Sequence, residues 1–277
     1  MNAENPIGVF DSGVGGLSVL REIRRELPGE DLLYVADSGH APYGDKPADM
    51  IEIRSLAISE FLVNHQHAKA IVVACNTATG AAVATLRARF SIPIVAIEPA
   101  VKPAASNTKS GVVGVLATSR TLSSDNFAKL HARFGADVDI LLQACHGLVE
   151  QVEAGDLSGD NTRALLERYL LPLLERKADT IVLGCTHYPF LARLIQEIAG
   201  PDVAIIDPAA AVARELRRRL SGLSLLSKET RRGTEQFWSS DTPDKTRAII
   251  SQLWQMNAEV LSLPEVTPTM PTIKSSQ

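Results

Sequence analysis

The chain has 277 residues, 45% of them hydrophobic and 22% charged, with a formal net charge of −4. This describes an ordinary globular protein with a substantial core, and the charge gives no reason to expect a nucleic-acid surface. The opening Met-Asn-Ala-Glu-Asn-Pro lacks a basic start and an apolar h-region, and no apolar run approaches the roughly 18 residues of a membrane span, so neither secretion nor a membrane partner is indicated.

In chain order, residues 6–10 read as a short apolar strand, followed by Asp11-Ser-Gly-Val-Gly-Gly16 and a helix that starts near Gly15 and stops before Pro28. Residues 31–36 form a second strand, leading into the polar loop Asp37-Ser-Gly-His-Ala-Pro-Tyr-Gly44. A periodic helix over 50–63 precedes strand 70–74, which ends at Cys75; an alanine-rich helix over 77–89 and strand 94–97 follow. The pattern then repeats. Strand 111–116 ends at Ala117-Thr-Ser119, and a helix carries Leu122, Phe127, Leu130 and Phe134. Strand 138–142 comes next, then helices near 148–153 and 161–174. Residues 178–189, Ala-Asp-Thr-Ile-Val-Leu-Gly-Cys-Thr-His-Tyr-Pro, read as a buried strand that ends in a turn opening a helix over 189–199. Strand 203–206 closes the series; beyond it lie a helix over 208–220, a linker, a strand near 234–238 and a helix over 245–255. The basic cluster Arg217-Arg218-Arg219 reads as a solvated helix face.

The two halves align. Ile7-Gly8-Val9 matches Val113-Gly114-Val115, Leu33 matches Ile140, Cys75 matches Cys185, and Ile97-Glu98-Pro99 matches Ile206-Asp207-Pro208. Near-constant spacing at four anchor points indicates an internal duplication. The fold expected is α/β: two similar, pseudo-symmetric lobes, each a parallel sheet covered by helices, with the site in the cleft between them. Residues 1–97 would form the first lobe, rejoined by 208–263, and 98–207 the second. The proline-, threonine- and serine-rich stretch 264–277 reads as a disordered tail.

Parallel sheets bind ligands beyond the carboxyl ends of their strands. Found there are Asp11-Ser12, Ser38 to Gly44, Cys75-Asn76-Thr77, Thr118 and Cys185-Thr186-His187. The three cysteines, Cys75, Cys145 and Cys185, are odd in number and far apart, which fits free thiols in a reducing cytosol. Each strand-end thiol should lie near the positive end of a helix, favouring thiolate. Asp11 and His187 could orient or exchange protons with a thiol. The glycine loop lacks a P-loop lysine, and Ser18 occupies the last glycine position of a dinucleotide fingerprint; its glycines read as admitting backbone amides to a ligand carboxylate. Cys75, Cys185 and His187 could be drawn as three zinc ligands, but the usual close cysteine pairs are absent, so no metal is assigned. His146, beside Cys145, reads as a surface or structural histidine. Two thiols on opposite walls can invert a stereocentre, one removing a proton while the other delivers one to the opposite face.

Five motifs, Asp11-Ser-Gly-Val-Gly-Gly16, Tyr34-Val-Ala-Asp-Ser38, Pro42-Tyr-Gly44, Ala74-Cys-Asn-Thr-Ala78 and Leu183-Gly-Cys-Thr-His-Tyr-Pro189, together resemble the bacterial glutamate racemases over about residues 7–220. The resemblance implies interconversion of L- and D-glutamate without a cofactor, supplying D-glutamate for peptidoglycan in the cytoplasm. It implies that Cys75 takes the α-proton of D-glutamate and Cys185 that of L-glutamate, assisted by Asp11 and His187 respectively. Ser12, Tyr43, Gly44, Asn76, Thr77, Thr186 and Thr118 would hold the substrate, with Asp11 and His187 also touching it. A homodimer is implied by family habit. An aspartate racemase or other two-cysteine epimerase, a non-catalytic amino-acid-binding protein on the same scaffold, and a thiol redox protein are the competing readings.

Overall fold

The computed structural model describes residues 2–134 and 138–265. In chain order the first lobe holds β1 (Ile7–Asp11), α1 (Leu17–Glu26), β2 (Leu32–Ala36), α2 (Ala48–Glu60), β3 (Ala70–Val73), α3 (Asn76–Arg89) and β4 (Ile94–Ala96). The second follows with α4 (Val101–Asn107), β5 (Val112–Ala117), α5 (Ser119–Leu122), α6 (Asp125–Phe134), β6 (Asp139–Ala144), α7 (Leu148–Glu153), α8 (Asp160–Glu175), β7 (Thr180–Leu183), α9 (Ala192–Ala199) and β8 (Ala204–Ile206). The chain then adds α10 (Ala209–Gly222), β9 (Glu235–Ser239), α11 (Pro243–Trp254) and β10 (Val260–Ser262).

All strands pair in parallel. The six-stranded sheet runs β10-β9-β2-β1-β3-β4 and the four-stranded sheet β6-β5-β7-β8. Stripped of β9 and β10, the two sheets have one strand order, as a duplication requires. The register agrees at the centre: Gly8 pairs with Ile71 as Gly114 pairs with Ile181. Both glycines lie where a methyl would press on a neighbour, Leu62 in one lobe and Leu173 with Ile181 in the other. At the flanks the register corrects the sequence alignment. Gly8 pairs with Leu33 while Gly114 pairs with Leu141, one residue beyond the Ile140 matched by sequence. Ile71 pairs with Ile94 and Ile181 with Ile205, so Ile97 and Ile206 are not equivalent. Loop lengths had drifted between the copies, and only pairing across the sheet restores the frame.

The late strand near 234–238 is β9, which joins the first sheet beside β2. Beyond it, no periodicity marks β10, three residues long and with two of its three side chains exposed. Sequence also passed over α4, which opens the second lobe and packs on α6 and β7. The disordered tail expected from 264 falls largely on 266–277, outside the described residues. The arginines of α10 pair with Glu215 and Glu26 on a solvated face, as expected.

At the amino end of the first sheet, the fully buried Lys69 ammonium donates to the Glu30 carboxylate and to the Ala3 carbonyl. The other Glu30 oxygen accepts from the Ser227 amide at 2.8 Å, so one ion pair ties the chain start, the β-layer and the linker before β9. Lys69→Met leaves Glu30 buried and unpaired and should cost about 3–5 kcal/mol in urea unfolding. Lys69→Met/Glu30→Gln should recover much of that loss; equal losses in the two variants would mean that the charge is not the cause.

Candidate active site

Strand β1 delivers Asp11, fully buried, to the carboxyl edge of the first sheet. Its Oδ2 accepts from the Gly13 amide and its Oδ1 from the Thr186 hydroxyl of the other lobe, each at 3.1 Å. Burial raises the Asp11 pKa, with the His187 charge acting in the opposite sense. Cys75 caps α3, its sulfur accepting from the Ala78 amide at 3.4 Å. The thiol also reaches the Ser12 hydroxyl at 3.6 Å. The helix end was expected to favour thiolate, yet the Cys75 pKa is pushed up to about 12. Burial is the largest cause and the nearby Asp11 charge the next; the Ala78 amide and Ser12 hydroxyl only partly offset them.

The second thiol departs from the expected symmetry. In the first copy the Thr79 amide donates to the Cys75 carbonyl at 2.9 Å and α3 starts at once. The equivalent donor after Cys185 would be Pro189, which has no N–H. The chain therefore takes three-residue turns, Tyr188 to Cys185 and Phe190 to His187, and α9 begins only at Ala192. With no helix end at Cys185, a histidine stands there instead. His187 Nδ1 lies 3.7 Å from the Cys185 sulfur, and Nε2 lies 2.7 Å from Glu153 Oε1. Burial works against a charge on this imidazole, but the hydrogen bonds with Cys185 and Glu153 outweigh it and raise the pKa well above the ordinary value.

Glu153 was missed in the sequence. It is the last residue of α7, a six-residue helix whose only legible feature is the apolar set Leu148, Val149 and Val152. Its Oε1 also accepts from the Val14 amide at 2.7 Å. The glycine loop thus meets a carboxylate belonging to the protein, not the ligand carboxylate expected. A Cβ on Gly13 would come 1.9 Å from Glu153 Oε1, and one on Gly15 would come 2.3 Å from His187 Nδ1. Those two glycines let the first lobe close directly onto the His187–Glu153 pair.

The remaining sequence candidates fall into two groups. Ser12, Asn76, Thr77 and Thr186 are buried around the thiols. Thr77 links across the lobes to Thr118 at 3.0 Å and Thr121 at 3.3 Å, and Thr186 accepts from Ser18 through its carbonyl at 2.9 Å. The Asn76 side-chain amide is buried, and neither of its polar atoms has a hydrogen-bond partner among the described residues. Tyr43 and Gly44 belong to the loop after β2. The Tyr43 hydroxyl is engaged with Asp37, and its ring packs in the same buried cluster as Cys75. Gly44 presses against Thr118. His146 lies on the surface, 3.0 Å from Ser119 Oγ.

Cys75 and Cys185 are 4% and 7% exposed, so both thiols are almost fully enclosed. A cavity of about 300 Å³ lies beside Glu153, lined by Ser38, Pro42, Glu150, Asp241 and Lys245, but neither thiol lines it. Among the described residues, no group of three or more His, Cys, Asp or Glu side chains is arranged to hold a metal ion. The arrangement thus encloses two thiols at equivalent strand ends, each with its own polar partner.

The family described as Asp/Glu/hydantoin racemase matches residues 7–216. A glutamate racemase of Methylococcus capsulatus is 57% identical over 261 residues, 94% of this chain and 96% of that one. Among solved structures, a glutamate racemase isoform of Bacillus anthracis aligns with a TM-score of 0.85 at 33% identity, covering 95% of this chain and 98% of its own. The Francisella tularensis glutamate racemase, solved in complex with D-glutamate, aligns with a TM-score of 0.82 at 29% identity over 95% and 98% of the two chains. Paired strand-end thiols on a duplicated parallel-sheet scaffold, matched over nearly the whole length, place the chain in the Asp/Glu/hydantoin racemase family.

Proposed function

We propose that the chain is a glutamate racemase, interconverting L- and D-glutamate with Cys75 and Cys185 as the two acid–base groups and supplying D-glutamate for peptidoglycan. The observation that carries this is the pair of thiols at equivalent strand ends, joined to 57% identity with a named glutamate racemase. The reading includes action in the cytoplasm and a homodimeric assembly, both by family habit.

In the L-to-D direction, the Cys185 thiolate takes the α-proton and becomes a thiol, while Cys75 gives its proton to the opposite face and becomes a thiolate. The reverse direction exchanges the roles. In the first direction burial holds on Cys75 the proton that it gives, and the raised His187 pKa favours an imidazolium 3.7 Å from the Cys185 sulfur. An α-proton is far less acidic than a thiol, so the developing carbanion needs fixed donors in a site closed to water. Ser12, Asn76, Thr77, Thr186 and the backbone of Tyr43-Gly44 are the donors assigned to the substrate, with Asp11 orienting Cys75 and accepting the α-ammonium. A companion reading, racemisation of aspartate, differs by one methylene of pocket depth.

Cys75→Ala and Cys185→Ala should each lower racemisation about 10²–10⁴-fold, followed by polarimetry and by deuterium uptake at the α-carbon. Racemisation surviving either change would refute the two-base mechanism, and turnover of aspartate alone would refute the glutamate assignment. Glu153→Gln removes a charge that raises the His187 pKa. An imidazolium is lost as pH rises through its pKa, so the alkaline limb of kcat for L-glutamate should move to lower pH, with kcat reduced about 10-fold. An unmoved limb in the pH–rate profile would show that Glu153 does not support the charge.

A further inference from the structure

The loop between β2 and α2 forms one wall of the cleft, and a buried network stands behind it. Asp37, at the end of β2, has a fully buried side chain. From α2, Arg54 grips it with both arms of its guanidinium, Nε to Oδ2 at 3.0 Å and Nη2 to Oδ1 at 2.7 Å. The Tyr43 hydroxyl donates to the same carboxylate, and His40 Nδ1 lies 3.1 Å from Oδ1. Tyr43 is 1% exposed and shares an apolar cluster with Cys75, Phe10 and Val35. The next residue, Gly44, touches the second lobe; a Cβ there would come 3.0 Å from Thr118 Cβ. Thr118 in turn meets Thr77, two residues from Cys75.

We infer that the Arg54–Asp37 pair is a positioning device for the substrate: by anchoring the Tyr43 hydroxyl, it fixes the Tyr43-Gly44 backbone as the cleft wall beside Cys75. Neither Arg54 nor Asp37 reaches the thiols, so both act through Tyr43. The inference rests on the glutamate reading of the site.

The physical case has three parts. First, the hydrogen bonds inside the loop are short-range: the His40 amide to the Asp37 carbonyl, Ala41 to Ser38 and Lys46 to Tyr43. They shape the turns, whereas the Tyr43–Asp37 contact fastens the Tyr43 end to the sheet. Second, the planar fork of Arg54 matches both oxygens of the buried Asp37, which a lysine ammonium cannot do. Third, a substrate with two carboxylates needs its donors correctly placed on both walls, so a loosened Tyr43-Gly44 backbone should weaken the binding of either enantiomer.

The test uses the full chain with Tyr43→Phe, Arg54→Gln and Arg54→Lys. Initial rates are measured with both enantiomers, alongside thermal melting with and without D-glutamate. Tyr43→Phe and Arg54→Gln should raise KM for both enantiomers about 10-fold and leave kcat within about 3-fold, and the stabilisation by D-glutamate should shrink in parallel. Arg54→Lys, with the charge but not the fork, should fall between these and the parent. A lower melting temperature with KM unchanged would reduce the network to a structural role and overturn the inference. If Arg54→Gln does not fold, Tyr43→Phe decides, because it keeps both the ring and the ion pair. An active parent with an unaltered KM in Tyr43→Phe overturns this inference alone; a parent inactive on glutamate overturns the functional reading and this inference together.

Discussion

A single oxygen of Glu153 accepts two hydrogen bonds of 2.7 Å, one from the Val14 amide in the first lobe and one from His187 in the second. The carboxylate is thus both a clasp between lobes and the counter-charge of the imidazole beside Cys185. The glycine loop can make that contact only because Gly13 and Gly15 carry no side chain where Glu153 and His187 stand. Thr186 adds a second link, joining Asp11 through its hydroxyl and Ser18 through its carbonyl. The chemistry of each thiol therefore depends on the opposite lobe being in place.

A second consequence is that the duplication produces equivalent positions with different environments. Cys75 is held by a helix end and a hydroxyl, yet burial and Asp11 keep its proton on. Cys185 has a proline where the first copy has the helix-forming amide of Thr79, and a histidine supplies the polarity that the helix would have given. Two-base inversion tolerates such asymmetry. L- and D-glutamate have equal free energy, so kcat/KM must match in the two directions whichever thiol rests protonated. Unequal environments can divide that ratio differently between kcat and KM.

Much of the architecture was legible before any coordinates. Apolar runs of four or five residues ending in Gly, Cys or Asp, separated by helical periodicity, specify parallel strands and crossover helices with little ambiguity. The repeated Ile-Val-Val-Ala-Cys and Ile-Val-Leu-Gly-Cys strands carried the duplication, and the observed register keeps Ile71 and Ile181 equivalent. Less legible were α4, β10 and the flanking alignment. Short edge elements carry too few residues for a period to emerge, and loop-length drift shifts any count along the chain.

The residues by themselves determined the strand-end cysteines, the fold class and the motifs around Asp11, Tyr43 and His187, because those are local patterns. Tertiary structure alone decided that Glu153 meets His187, that Asp37 and Arg54 stand behind Tyr43, and that Cys75 holds its proton. Each of these depends on burial and on partners far away in sequence: Glu153 lies 139 residues from Val14, and the linked Thr186 lies 175 from Asp11. A hydrogen-bond partner across a cleft leaves no periodic trace in a sequence, and the dielectric around a thiol is set only when both lobes close over it.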